Sequence, residues 1–210
     1  MSSRLALSAF VGLAAALLLA PIAAGQDDPQ AWSATAARGA FDLCRADAPD
    51  ADRVAEHGEV WGWPTFIPYL EHPKGYKRLS GGESRRTYSV GDKSAYVELT
   101  VQSGQVTSAG PANIRYFRCN VAADQVIGAD LEAYFTANYG PPTSKTGVTT
   151  VWLSAKPSDA VGPDAAASDD LVLKPVVAAG VGAQVMRIEL TRERGLDRAK
   201  LTILRNEPAA

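Results

Sequence analysis

The sequence predicts an α+β fold, an antiparallel sheet of about six to seven strands with two or three helices packed on one face. Three observations carry that expectation. Apolar residues recur at spacings of three and four over residues 30–45 and 123–138, the period of a helix buried along one side. Between and after these segments the period falls to two, as in Ala95, Val97, Leu99 and Val101 against Tyr96, Glu98, Thr100 and Gln102. The alternating runs are joined by tight turns such as Gly91-Asp92 and Ser103-Gly104, which pair strands antiparallel and leave one face for the helices.

Residues 1–25 read as a signal peptide and not as part of the fold. Arg4 supplies a positive start, residues 5–20 are almost wholly apolar, and Ala23-Ala24-Gly25 gives small residues ahead of a cleavage point after Gly25. No cysteine follows the apolar run, which argues against a lipid anchor. No later stretch approaches the roughly 20 apolar residues of a membrane span. Residues 26–210 are then expected to be a single α+β domain located in the periplasm or secreted, with no membrane span after cleavage. The chain of 210 residues carries a net charge of −2, so nothing in its overall charge points to nucleic acid or anionic lipid as a partner.

The elements follow in order. Trp32, Ala36, Ala37, Ala40, Phe41 and Cys44 form the apolar stripe of a first helix over residues 30–45. Pro49-Asp50 opens a second, short helix, capped by Asp50 or Asp52 and expected to stop at Gly58. Strands are expected over residues 85–90, 94–102 and 113–121. A helix over residues 123–138 follows, with Asp124 as its cap and Ile127, Leu131, Tyr134, Phe135 and Asn138 as its stripe. Further strands are expected over 147–154, 171–177, 184–192 and 199–204. Residues 155–170 are rich in Pro, Gly, Ala and Asp, bury nothing, and read as a mobile acidic loop.

Two cysteines remain, Cys44 and Cys119. In an oxidising compartment an isolated pair most simply forms one disulfide. Such a bridge closes a loop of about 75 residues, which the chain-entropy account credits with about 4 kcal/mol. If Phe117, Cys119 and Val121 face the core, the bridge ties the first helix to the inner face of the sheet.

Few residues suggest chemistry. The chain has two histidines, His57 and His72. His57 lies beside Glu56 at a helix end, His72 precedes Pro73, and no nucleophile elbow or S-x-x-K pair accompanies either. Metal-ligand spacing and an EF-hand pattern are absent, and Gly180-Val181-Gly182 does not complete a dinucleotide-binding fingerprint. No cofactor and no metal is expected.

Residues 58–73 hold Trp61, Trp63, Phe66 and Tyr69 between prolines 64, 68 and 73. These rings are either a stacking platform for a ligand or a lid over the open end of the core. The lid is the favoured reading, with Trp63 or Tyr69 left partly exposed. A basic cluster follows, made of Lys74, Lys77, Arg78, Arg85 and Arg86. The candidate ligand-binding surface is therefore Trp61, Trp63, Tyr69, Lys74, Lys77, Arg85 and Arg86.

Phe41-Asp42-Leu43-Cys44, the Gly62-Trp63-Pro64 step after a short helix, and Arg118-Cys119-Asn120-Val121 together resemble a class of small exported proteins of Gram-negative bacteria that have no assigned function. The resemblance spans about residues 30–121. It implies an exported α+β domain and transfers no catalytic residue.

The expected function is a non-enzymatic binding or interaction module that recognises a cell-envelope component or a protein partner. Two other readings stand beside it: a cell-envelope hydrolase using His57 or His72, and an envelope assembly factor that pairs through a sheet edge.

Overall fold

The computed structural model describes residues 28–48, 50–68, 76–107, 109, 111–125, 127–156, 170–193 and 196–208. The expected signal peptide and most of the expected acidic loop lie outside them. Asp28 caps α1 (Pro29–Asp47), its carboxylate accepting from Gln30 N at 2.9 Å, while Pro29 occupies the first turn, where no N–H is needed. Asp50 caps α2 (Ala51–Val60) in the same way, accepting from the backbone N–H of Asp52 and Arg53. Gly58 does not end α2. It lies buried inside the helix, where an added Cβ would come within 2.8 Å of the Phe66 ring. The chain leaves the helix at Gly62, whose φ of 81° suits glycine.

The sheet is built from β1 (Ile67–Pro68), β2 (Tyr76–Val90), β3 (Lys93–Val106), β4 (Asn113–Ala123), β5 (Ser144–Thr146), β6 (Thr149–Lys156), β7 (Gln184–Glu193) and β8 (Leu196–Glu207). Their order across the sheet is β1-β2-β3-β4-β8-β7-β6-β5, antiparallel throughout. Two four-stranded meanders thus meet along β4 and β8. The α+β class stands, with eight strands among the described residues instead of six to seven, and four helices instead of two or three. The extra strands β1 and β5 are two and three residues long, too short for an alternating pattern to register.

One face of the sheet carries the main core. Ala37, Ala40, Phe41 and Cys44 of α1 pack with Val97, Leu99 and Val101 of β3 and with Phe117, Cys119 and Val121 of β4. Cys44 and Cys119 form the expected disulfide, with both residues fully buried. The third helix, α3 (Gly128–Tyr139), adds Leu131 and Phe135 to this core, beside Ile127.

This helix starts five residues later than the sequence suggests, because β4 runs on to Ala123, paired with Val97 and Asp197. Asp124 does not cap it. Its carboxylate accepts instead from Tyr96 N at 2.8 Å and ends the sheet there. The first turn of α3 is served from another strand: Gly128 N donates to Asp197 Oδ2 at 2.5 Å, and Arg192 donates to both Gly128 O and the Glu132 carboxylate. Asp197 is buried on β8, so its loss leaves a helix N–H without an acceptor. Asp197→Ala is expected to cost about 1–3 kcal/mol in chemical unfolding. A change below a few tenths would show that water replaces the carboxylate without penalty.

The largest correction concerns residues 171–177, expected as a strand. They belong to a helix, α4 (Asp170–Ala178), on the opposite face of the sheet. β6 and β7 pair directly with each other, so no place in the sheet remains for this segment. Leu173, Val176 and Val177 instead fall at helical spacing and pack with Ile114, Tyr116, Val185 and Leu204. The helices therefore cover one face and part of the other, and the expectation of helices on one face alone is incomplete.

Candidate functional site

The residues selected from sequence are not gathered into one surface. Trp63 and Phe66 are buried, at 4% and 8% exposure, and close the core beneath α2 as a lid. Among the described rings of this stretch the exposed one is Trp61, at 54%, and not Trp63. Arg86 lies on the helix-covered face, its guanidinium 5.6 Å from the centre of the Trp63 ring. Arg85 is the next residue on the same strand, so it points to the opposite face. There it pairs with Glu98 at 2.7 Å and stacks over Tyr96 at 4.5 Å. Lys77 is exposed on β2. Tyr69, Lys74 and His72 lie outside the described residues.

The face that Arg85 joins holds a broad concavity. Beyond the end of α4 no other described helix covers this face of the sheet, and a cavity of about 930 Å³ opens across β3, β4, β8 and β7. Strand register sets its floor. Thr100 stands opposite Asn120, Asn120 opposite Lys200, and Lys200 opposite Glu189. In the next row Glu98 stands opposite Ala122, Ala122 opposite Arg198, and Arg198 opposite Thr191. Directly opposed residues in an antiparallel pair share a face and bring their Cβ atoms within about 5.5 Å, so these side chains form a continuous polar floor. Val148 and Leu196 supply apolar wall.

Both carboxylates lining this cavity are neutralised. Glu98 is held by Arg85, and Glu189 by Arg187 at 2.5 Å and Lys200 at 3.3 Å. Other groups are left over. Among the described residues, the side chains of Asn120, Thr149 and Thr191 find no hydrogen-bond partner, and Arg198 has no carboxylate partner. These groups are half-buried or exposed, and a ligand seated in the concavity can take the place of the water they hold.

The remaining polar clusters are structural. Tyr134 donates to Asp42 Oδ1 at 2.6 Å, and Arg45 joins Asp42 at 3.1 Å. Burial, followed by that hydrogen bond, holds the Tyr134 hydroxyl above the usual phenol range, so it is a fixed donor and not a base. Burial raises Tyr139 as well. His57 is exposed in the last turn of α2 and does not line the cavity. Among the described residues, no group of three His, Cys, Asp or Glu side chains could hold a metal ion, and no helix is long and apolar enough to cross a membrane.

Sequence reasoning passed over this cavity although its signal was present. Tyr96, Glu98 and Thr100 form the polar half of an alternating strand, the half normally assigned to solvent. Their neighbours Asn120, Arg198 and Thr191 come from distant parts of the chain, and only the strand order brings them together. The chain matches no known protein-family model, no curated protein and no solved structure.

Proposed function

We propose that the chain is an exported, non-enzymatic binding module of the periplasm or cell exterior, and that the bare face of its sheet holds a cell-envelope component. One observation carries this reading: a large polar concavity whose floor keeps Asn120, Thr149, Thr191 and Arg198 without a side-chain partner among the described residues. Ligand sites are typically concave and present a few unspent polar groups. Export is supported by the buried Cys44–Cys119 bridge, since such bridges persist in oxidising compartments, and by the signal-peptide composition of residues 1–25.

The two rival readings find less support. His57 stands apart from the concavity, and His72 lies outside the described residues. The outermost strands β1 and β5 have two and three residues, and Pro68 has no N–H to offer, so neither is itself a long strand for pairing, although β1 covers β2 only at Gly82 and Glu83.

The test is residue-resolved NMR on the oxidised chain lacking residues 1–25, titrated with soluble peptidoglycan fragments, oligosaccharides and short peptides. Shifts are expected to concentrate on Tyr96, Asn120, Thr191 and Arg198. Shifts confined to the Trp61 region, or none with any probe, would overturn the assignment of the bare face.

A further inference from the structure

The charge arrangement inside the concavity names a class of ligand, an inference that rests on the binding reading above. Both acids lining the concavity are paired, whereas one base, Arg198, has no partner among the described residues. Arg198 stands between Ala122 and Thr191 on the neighbouring strands, so neither neighbour can supply a carboxylate. The chain as a whole carries a net charge of −2, so a surplus cation at this spot is set by position and not by composition. A guanidinium offers paired N–H donors matched to the two oxygens of a carboxylate or phosphate.

The groups around Arg198 define the rest of the ligand. The Asn120 amide both donates and accepts, and the Thr149 and Thr191 hydroxyls do the same. A ligand rich in hydroxyls satisfies such a set, and the apolar edge of a sugar ring can lie against Val148 and Leu196. We infer that the bare face binds an anionic sugar, its carboxylate or phosphate held by Arg198 and its hydroxyls by Asn120 and Thr191. An acidic peptide would offer Arg198 its charge but would leave most of the hydroxyl-matching groups unused.

The experiment uses the oxidised chain without residues 1–25 and four probes of similar length: an oligogalacturonate, its neutral methyl ester, a sugar-phosphate oligomer and an oligoglutamate. Calorimetry gives affinities, and NMR shifts at Asn120 and Thr191 report the place of binding. One of the two anionic sugars is expected to bind at least tenfold more tightly than the methyl ester, and which one does so separates carboxylate from phosphate. Arg198→Gln is expected to abolish that preference while leaving the melting temperature unchanged, and Arg198→Lys to keep part of it. Equal binding of acid and ester at Asn120 and Thr191 would overturn the anion inference and leave the binding face standing, as would tighter binding of oligoglutamate there. Absence of shifts with all four probes would remove both.

Discussion

Replacing Cys44 and Cys119 together by alanine is expected to cost the protein about 4 kcal/mol of stability. The bridge joins residues 75 apart in sequence, and cutting it returns to the unfolded chain the freedom of that whole loop. For a chain of this size the loss corresponds to a fall in melting temperature of about 8–16 °C. The site adds to the effect, because both cysteines are fully buried between α1 and the inner face of β3 and β4. Guanidinium unfolding of the oxidised chain and the double variant measures the difference directly. A loss under 1 kcal/mol would mean that residues 44–119 stay collapsed in the unfolded state without the link. The same experiment bears on location: a protein that depends on this bridge to that extent is suited to an oxidising compartment.

Phe135→Ala is the second large expected effect, about 3–5 kcal/mol. The ring is fully buried on α3 and meets Phe41 of α1 edge-on at 4.8 Å and Trp152 of β6 edge-on at 5.2 Å. It touches Tyr134 and Tyr139 as well. One side chain thus joins two helices to the far half of the sheet, and no neighbour is free to refill the hole, since Trp152 is fixed by a hydrogen bond from Nε1 to Gly140 O. Phe135→Leu keeps most of the volume and is expected to lose roughly 1–2 kcal/mol. Chemical unfolding followed by tryptophan fluorescence reads both variants. An alanine variant within 1 kcal/mol of the parent would show that α3 can settle into the gap.

These two sites also mark what the sequence makes legible. The stripe Phe41–Cys44, the alternation of β3 and the stripe Leu131–Phe135 are each local patterns, and each lies in the core as expected. Local pattern fails in three ways. The run at 171–177 is apolar and rich in β-branched residues, so its composition favours a strand, but the direct pairing of β6 with β7 makes it a helix. The start of α3 is decided by Asp197, which is remote in sequence and no local cap pattern. The aromatic stretch is legible as a lid at Trp63 and Phe66, while Trp61 stays exposed. Alternation along β2 sends Arg85 and Arg86 to opposite faces, although adjacency in sequence makes them look like one patch. The candidate site escaped for the same reason as the helix cap, since its floor exists only through pairings between distant strands.

The seam between β4 and β8 has a consequence for how the protein acquires its site. Every other pair of neighbouring strands is consecutive in the chain, whereas this one brings together Asn113 with Glu207 at one end and Ala123 with Asp197 at the other. Pairing across so long a stretch of chain carries a larger entropy of closure than a tight hairpin such as β2–β3. Asn120 lies on one side of that seam, and Lys200 and Arg198 on the other. The polar floor therefore exists only once this seam has closed, and a ligand that binds it acts as a clasp across the two halves. Slower unfolding in the presence of ligand would be the kinetic trace of that clasp.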